Sequence, residues 1–434
     1  RGGVGAGHAA ARDPARGARP MPGSQGAGWC PGPRVAARLP VPASGAGPTR
    51  VLVASRYAAA GALLRRLAPA SGLRAAVLGA AALALLACGL VPPWDRLLLT
   101  SGEHVYFAPR FSTPAVRLQF FHEDAIGGIT TVVVDPQSNV RTLLTNGKFQ
   151  GSDGGEPIAQ IGFALIPILH STVFDDALVI GLGTGQSASI AQMAGFRRVD
   201  IAEIAPGIID ASSHEFRHLN HDVVRQPNVR VFLEDGRNVL LLRDKPYDLI
   251  TIELTSYWFA GATNLYSRQF YELAARRLRR QGVLQQWVQL HHTGPREIAS
   301  ALLTMRSAFR YVSLWLGGTQ GIMIASNEPQ VIQSAGVHGA MQAMERSGID
   351  RSVVCTLLRG RILSPEDVDR LARSSPAAVI NTDRNRWIEY DSPRYNIGPD
   401  LLPLNLRVMQ RFARPSPMHA MPAARPMLDR LCAH

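Results

Sequence analysis

Residues 177–185 read ALVIGLGTG, an apolar run that leads directly into a loop containing three glycines. The run predicts a buried strand, and Gln186–Ala194 is predicted to form the helix after the loop. Glycines at such a junction allow a sharp turn and a close approach of a ligand to the backbone. Gly181, Gly183 and Gly185 are therefore predicted to bind a ligand, with a plain tight turn as the alternative.

Strands and helices alternate along the chain after this loop, which is typical of a parallel sheet. The predicted parallel strands are Ala177–Gly183, Arg198–Ile204, Asn228–Glu234, Tyr247–Leu254 and Gly282–Leu290. The predicted helices beside them are Gln186–Ala194, Pro206–Asn220, Gly236–Leu242, Ser267–Arg280 and Arg296–Phe309.

Two further predicted strands, Tyr311–Leu316 and Gly321–Ser326, are joined by only four residues. So short a link forces an antiparallel hairpin, because a parallel pair would need a crossover. Five parallel strands that end in a hairpin predict an α/β, class I methyltransferase-like Rossmann fold with a seven-stranded sheet.

A small antiparallel β unit is predicted ahead of this sheet. Its strands are Gln119–Glu123, Gly128–Asp135 and Val140–Thr145. Asn146-Gly147 then makes a further tight turn.

Beyond the sheet, Ser364 followed by Pro365 predicts the start of a helix in the C-terminal region.

Composition limits the classes of function. The first fifty residues are rich in Gly, Ala, Pro and Arg and too poor in large apolar residues to form a core. The net charge of +13 comes mainly from arginines in this tail and before an apolar segment, which argues against a nucleic-acid partner. Neither a disulfide framework nor a zinc site is expected, and a reducing compartment is favoured, because the cysteines are far apart: Cys30, Cys88, Cys355 and Cys432.

The segment 75–91 reads AAVLGAAALALLACGLV and contains no charged residue. With its neighbours it is long enough to cross about 30 Å of hydrocarbon, and Trp94 follows where an interfacial aromatic is expected. A transmembrane helix is predicted at 73–93, with a signal-peptide core or a buried helix as alternatives.

Five parts are predicted along the chain. They are a disordered tail at 1–72, the transmembrane helix at 73–93, a small N-terminal β domain at 94–170, a nucleoside-binding Rossmann-like catalytic domain at 171–330, and a C-terminal helical extension and tail at 331–434.

Three acidic residues lie at the predicted carboxyl ends of successive strands, where ligands bind in such sheets. Glu203 follows the glycine loop by about twenty residues, the spacing of a carboxylate that binds ribose hydroxyls. Asp235, with Gly236 beside it, is predicted to contact adenine, and capping of the next helix is the alternative. Glu253 is predicted to face the reacting centre, and a rim charge paired with an arginine is the alternative.

The order of motifs resembles the polyamine aminopropyltransferase family, the spermidine and spermine synthases, from about Trp94 to Arg394. The matching segments are NGKFQGSDGGEPIAQ (146–160), GLGTGQS (181–187), VDIAEIAPGIID (199–210), LEDGRNVL (233–240), YDLITIEL (247–254), NLYSRQFYEL (264–273) and NTDRNRWIEYDSPR (381–394). PPWDRLLLTSG at 92–102 resembles the bacterial branch in which a synthase-like domain follows membrane spans.

The resemblance implies that the three loop glycines surround the methionine-derived part of decarboxylated S-adenosylmethionine. It implies that Glu203 binds the ribose, that Asp235 binds the adenine, and that Gln150 and Gln160 lie near the mouth of the site. The segment 381–394 is expected to pack beside the site.

The chain departs from the family in the half of the site that binds the amine. Thr184 replaces an aspartate in the glycine loop, Glu253 replaces the catalytic aspartate, Ser256 replaces a second acid, and Ala159 replaces a tyrosine. A doubly cationic diamine needs carboxylates to offset its desolvation. The nucleoside half of the site is therefore better preserved than the diamine half.

The predicted function is aminopropyl transfer from decarboxylated S-adenosylmethionine to an amine, a transferase reaction that releases methylthioadenosine. The alternatives are S-adenosylmethionine-dependent methyl transfer and a non-catalytic, membrane-tethered nucleoside-binding domain. His291-His292 has no third ligand nearby in sequence, so no metal is expected. The resemblance further implies a homodimer and a bacterial inner-membrane protein with a cytoplasmic catalytic domain, although the arginines before 73–93 favour the opposite orientation.

Overall fold

The structure is a computed structural model that describes residues 94–106, 116–154, 157–253, 262–375, 377–395 and 398–432, with isolated positions at 55, 79, 82 and 83. Apart from those positions, the predicted disordered tail and transmembrane helix lie outside the described residues. Both stay predictions. Within the ranges that are described, no helix is both long enough and apolar enough to cross a bilayer.

Four antiparallel strands form a small sheet in the order β1-β2-β3-β4, after two short helices, α1 (Arg96–Leu99) and α2 (Glu103–Tyr106). The strands are β1 (Arg117–Asp124), β2 (Gly128–Val134), β3 (Arg141–Thr145) and β4 (Lys148–Ser152). The predicted β unit is therefore present, with a fourth strand that the sequence analysis did not predict. Asn146-Gly147 forms the turn into β4, and both residues have positive φ.

The main sheet has eight strands in the order β12-β10-β11-β9-β8-β5-β6-β7. They are β5 (Asp176–Ile180), β6 (Arg198–Glu203), β7 (Val229–Leu233), β8 (Tyr247–Ile252), β9 (Leu278–Val288), β10 (Tyr311–Gly317), β11 (Gln320–Ser326) and β12 (Arg361–Leu363). Strands β5 to β9 pair in parallel, while β11 is antiparallel to both β9 and β10. The predicted methyltransferase-like fold is confirmed, and its strand order reverses between β5 and β8, where a ligand crevice is expected.

Two details of the main sheet differ from the prediction. The three-residue strand β12 adds an eighth strand, antiparallel to β10, and comes from the C-terminal region. Strand β9 begins at Leu278, so the helix predicted to reach Arg280 ends at Arg277. The reason is that Arg279 binds two buried carboxylates at the amino end of the sheet, Asp176 at 2.8 Å and Asp248 at 2.5 Å.

Helices cover both faces of the sheet. Those that follow its strands are α4 (Gln186–Met193), α5 (Pro206–Glu215), α6 (Arg217–Asn220), α7 (Gly236–Leu242), α8 (Arg268–Arg277) and α9 (Pro295–Arg306). The helix predicted over 206–220 is divided at Phe216, whose side chain is fully buried. Helix α3 (Pro157–Leu169) was not predicted; it is apolar nearly all round and packs against β8 to β11, α4 and the C-terminal helices.

The C-terminal region is helical. Its helices are α10 (Ser334–Ser347), α11 (Ser352–Arg359), α12 (Pro365–Ser374), α13 (Trp387–Asp391), α14 (Leu402–Gln410) and α15 (Arg425–Leu431). The predicted start of α12 is confirmed: Ser364 Oγ accepts a hydrogen bond from the Asp367 amide, and Asp367 accepts one from the Ser364 amide.

A disulfide joins Cys355 in α11 to Cys432 just after α15, with their Cα atoms 5.6 Å apart. The expectation of no disulfide was therefore wrong for this pair. The two cysteines are 77 residues apart in sequence, and only the packing of the last helix beside α11 brings them together. Cys30 and Cys88 lie outside the described residues.

We expect the disulfide to stabilise the C-terminal region by restricting the unfolded chain. The double variant Cys355→Ser/Cys432→Ser should lose about 2–4 kcal/mol of unfolding free energy, measured by urea denaturation without reductant. Reductant should lower the stability of the parent protein to the level of the variant and leave the variant unchanged. Equal stability of parent and variant without reductant would contradict this expectation.

Candidate functional site

A cavity of about 440 Å³ lies at the carboxyl ends of β5, β6 and β8, where the order of the sheet reverses. This volume suits a small-molecule ligand. The predicted site residues that line it are Gln150, Gly181, Gly183, Glu203, Asp235, Gly236 and Glu253. The structure thus brings together residues that are far apart in sequence.

The glycine loop begins directly after β5, and its three glycines have positive φ: Gly181 at +87°, Gly183 at +52° and Gly185 at +85°. Residues other than glycine adopt such angles rarely. A Cβ on Gly183 would lie 3.9 Å from both Gln150 O and Glu253 Oε2, so this glycine borders the cavity between two other predicted site residues.

Gly185 and Gln160 do not line the cavity. A Cβ on Gly185 would lie 2.8 Å from Ser212 Oγ, so this glycine allows α4 and α5 to pack closely. Gln160 Oε1 accepts a hydrogen bond of 2.7 Å from Thr184 Oγ1, and its carbonyl oxygen accepts one from Ser187 Oγ. The structure places both residues behind the glycine loop, as supports for its conformation.

Glu203 ends β6 and is only 4% exposed. Its Oε2 accepts a hydrogen bond from the Leu182 amide and its Oε1 accepts one from the Ala205 amide, both at 2.9 Å. Burial raises the pKa of this carboxyl, and the backbone hydrogen bonds oppose that effect. Each carboxylate oxygen can accept a second hydrogen bond, so two vicinal hydroxyls of a ligand can bind here.

Asp235 caps helix α7, because its Oδ1 accepts hydrogen bonds from the Arg237 amide at 2.8 Å and the Asn238 amide at 3.2 Å. The capping interaction considered from sequence is therefore present. Asp235 also lines the cavity, so its remaining oxygen lone pairs are compatible with a ligand donor. A Cβ on Gly236 would lie 2.3 Å from Ile180 Cγ2, which excludes any larger residue without rearrangement.

Glu253 is the residue after β8, and its amide donates to the Ile180 carbonyl at 3.0 Å. This bond fixes Glu253 beside the start of the glycine loop. Its Oε1 is buried and makes no hydrogen bond within the described part of the chain. The pKa of Glu253 is raised to about 8, chiefly by burial and further by the charge of Glu203, while the Ser187 hydroxyl near it opposes this rise. An arginine paired with Glu253 would lower its pKa, and no cation among the described residues contributes to the pKa of this carboxyl. The alternative of a rim charge paired with an arginine is therefore not supported.

The cavity wall also includes residues that were not predicted from the sequence. Those nearest the small sheet are Ile126, Gly127, Thr145, Asn146 and Lys148, and those after β8 are Ala262, Asn264 and Leu265. Lys148 is the only lysine among the described residues that line the cavity, and it is 5% exposed. Lys148 was missed because its strand, β4, was not predicted. In a strand, alternate side chains lie on the same face, so a predicted β4 would have placed Lys148 beside Gln150.

The segment 381–394 packs beside the site, as the resemblance implied. Arg237 Nη1 donates to Asp383 Oδ1 at 2.9 Å and to the Asn264 carbonyl at 3.2 Å. Asn381 Nδ2 donates to the Tyr266 carbonyl at 3.1 Å. These bonds hold the wall residues that follow β8 against helix α7.

His291 and His292 form an edge-to-face pair after β9. In the part of the chain that the structure describes, no three His, Cys, Asp or Glu side chains are grouped as metal ligands would be.

Comparison with known proteins identifies the central part of the chain. Residues 161–332 match the spermine/spermidine synthase domain. The chain is 26% identical over 184 residues to polyamine aminopropyltransferase 2 of Pseudomonas aeruginosa, covering 42% of this chain and 53% of that protein. It is 27% identical over 177 residues to polyamine aminopropyltransferase of Nitrosomonas europaea, covering 41% of this chain and 54% of that protein. The matches span about half the length of these relatives.

Solved structures similar to the chain include spermidine synthase from Thermotoga maritima, with 15% identity, a TM-score of 0.43 and coverage of 49% of this chain and 73% of that one. A probable spermidine synthase from Corynebacterium glutamicum has 17% identity, a TM-score of 0.43 and coverage of 61% and 95%. The domain match and the curated relatives support the family expected from the sequence motifs: residues 161–332 match the spermine/spermidine synthase domain, and the chain is similar to polyamine aminopropyltransferases.

Proposed function

We propose that this protein transfers an aminopropyl group from decarboxylated S-adenosylmethionine to an amine acceptor and releases methylthioadenosine. The observation that carries the proposal is the position of Glu253. Its buried, unbonded Oε1 belongs to a cavity that also contains the glycine loop and Glu203. The names of the curated relatives support the same reaction class.

The nucleoside half of the proposed site follows the carboxyl ends of three adjacent strands. Gly181 and Gly183 let the donor chain lie against the backbone after β5. Glu203 accepts hydrogen bonds from the ribose hydroxyls, and Asp235 accepts one from the adenine amine. No metal is part of this proposal.

In the proposed reaction the lone pair of the amine attacks the methylene carbon next to the sulfonium. The N–C bond forms as the C–S bond breaks, and the bonding electrons stay on sulfur, which leaves as the neutral thioether of methylthioadenosine. The attacking nitrogen loses a proton, which Glu253 accepts. A base with a pKa near 8 suits proton transfer close to neutral pH, while most of the acceleration comes from aligning the two substrates.

Glu253 also couples ligand binding to pH. In the ligand-free protein its carboxyl is largely protonated at pH 7, because its pKa is about 8. A sulfonium placed beside it favours the ionised form, so a cationic donor releases a proton as it binds.

We expect the affinity for decarboxylated S-adenosylmethionine to rise between pH 6 and pH 8.5, with release of up to about one proton. The affinity for neutral methylthioadenosine should change little over this range. Calorimetric titration of the full chain in buffers of different ionisation enthalpy measures both quantities. Glu253→Gln should abolish the proton release, and a variant that still releases a full proton would remove Glu253 from this role.

Substitution should separate chemistry from nucleoside binding. Glu253→Gln should lower kcat by about 10²- to 10⁴-fold, followed as methylthioadenosine release with a panel of amines. Glu203→Gln should instead weaken methylthioadenosine binding by at least about tenfold, because it disturbs the hydrogen bonds of a buried carboxylate. Glu234→Gln, at an exposed neighbouring carboxylate, is the matched control.

The ligand preference of the parent protein separates the two reactions. A preference for S-adenosylhomocysteine over methylthioadenosine would favour methyl transfer, and failure to bind any of these nucleosides would refute the proposal.

The raised pKa of Glu253 has a consequence for stability. A carboxyl whose pKa is higher in the folded protein stabilises the fold below its unfolded pKa, and this contribution is lost as the pH rises through about 8. Glu253→Gln should therefore match the parent protein at pH 4 and exceed its unfolding free energy at pH 9, by a few kcal/mol at most. Urea denaturation at both pH values tests this. Hydrogen bonds from Asn238 and the Asp235 amide lower the pKa of Glu234, so Glu234→Gln should bring no such gain.

A further inference from the structure

Asn264 brings a polar side chain to the cavity wall after β8, where Ala262 and Leu265, which line the cavity beside it, are apolar. Asp235 lines the same cavity at the start of α7. Arg237 joins the two residues. Its amide donates to Asp235 Oδ1 at 2.8 Å, and its Nη1 donates to the Asn264 carbonyl at 3.2 Å. The length of one arginine side chain therefore keeps Asn264 close to Asp235.

The backbone on both sides of Asn264 is held by the C-terminal region. Thr263 Oγ1 donates a hydrogen bond to Glu389, and the Tyr266 carbonyl accepts one from Asn381 Nδ2 at 3.1 Å. Because the Asn264 carbonyl is already bonded, the side-chain amide is the group that this residue can offer to a ligand. A group on a backbone that is already fixed loses less conformational entropy when it binds.

Adenine has an amino group, N6, between two ring acceptors, N1 and N7. In the proposed function, Asp235 accepts a hydrogen bond from N6. The amides of Arg237 and Asn238 donate to the Asp235 side chain, and the Val239 amide donates to its carbonyl. This leaves the Gly236 amide as the one first-turn donor with no hydrogen bond among the described residues, and it can donate to N1. N7, on the other side of N6, then needs a separate donor.

We propose that the side-chain amide of Asn264 donates a hydrogen bond to N7 of the adenine and so determines which nucleobase the site accepts. This inference rests on the adenine contact of Asp235 in the proposed function. A carboxylate alone accepts from the exocyclic amine of any base that has one. A donor to N7 beside it selects a base in which an amine adjoins a ring acceptor, as in adenine.

The test is calorimetric titration of the full chain with methylthioadenosine and two analogues, 7-deaza and 1-deaza, in which C–H replaces one ring nitrogen. The 7-deaza analogue should bind the parent protein about three- to tenfold more weakly, because it lacks one hydrogen bond. Asn264→Ala should bind methylthioadenosine and the 7-deaza analogue within about twofold of each other. The loss caused by 1-deaza substitution should remain in this variant, because the contact to N1 belongs to Gly236.

A second variant reverses the preference. Asn264→Asp keeps the shape of the side chain but places an acceptor against N7. It should bind methylthioadenosine at least about tenfold more weakly than the parent protein does and should prefer the 7-deaza analogue. A residue that only supported the fold would not produce such a reversal. Asn238→Ala is the matched control, because this exposed asparagine lies outside the cavity, where its side chain donates to Glu234 at 3.0 Å. It should keep the preference of the parent protein.

Equal affinity of the parent protein for methylthioadenosine and its 7-deaza analogue would overturn the inference, while the binding of methylthioadenosine itself would leave the proposed function intact. A preference for methylthioadenosine that persists unchanged in both Asn264 variants would also overturn it. If the parent protein binds none of these nucleosides, the proposed function fails, and this inference fails with it.

Discussion

The site depends on one buried carboxylate that joins two strand ends. Glu203 accepts hydrogen bonds from the Leu182 amide in the glycine loop and from the Ala205 amide after its own strand. Because Leu182 and Ala205 are themselves buried, their amide groups would otherwise lack partners. The bonds hold the loop after β5 beside the loop after β6 and offset part of the cost of burying a charge. These two hydrogen bonds therefore determine the shape of the cavity floor.

Glu253, at the end of β8 on the other side of β5, is in the opposite situation. Glu253 is fixed by a backbone hydrogen bond from its amide to Ile180, yet its Oε1 has no partner among the described residues. At the other end of the sheet, by contrast, Asp176 is bonded to Arg198, Arg279 and Lys245, which together hold its pKa far below the ordinary value despite burial. Asp176 is thus paired at the amino end of the sheet, where its ion pairs stabilise the fold. Glu253 Oε1, at the carboxyl end, has no partner among the described residues.

The cavity is completed by segments outside the matched family domain at 161–332. Strand β4 supplies Lys148 and Gln150 from the small N-terminal sheet. The C-terminal region supplies Asp383, whose pairing with Arg237 braces the wall after β8. Residues 161–332 therefore provide the glycine loop, Glu203, Asp235 and Glu253, while the surrounding segments complete the cavity wall.

Features that depend on local pattern could be predicted from the sequence. Alternating strands and helices, with a hairpin too short for a crossover, predicted the main sheet. Glycines at one strand end and acids at the next strand ends predicted the glycine loop and the carboxylates of the cavity. Four features could not be predicted in this way: the all-round apolar helix α3, the edge strand β12, the Cys355–Cys432 disulfide and the position of Lys148 in the cavity wall. Their physical basis is contact between segments distant in sequence, through burial on several faces, strand pairing at a sheet edge and packing of the last helix. Periodicity within a short window contains no information about such contacts.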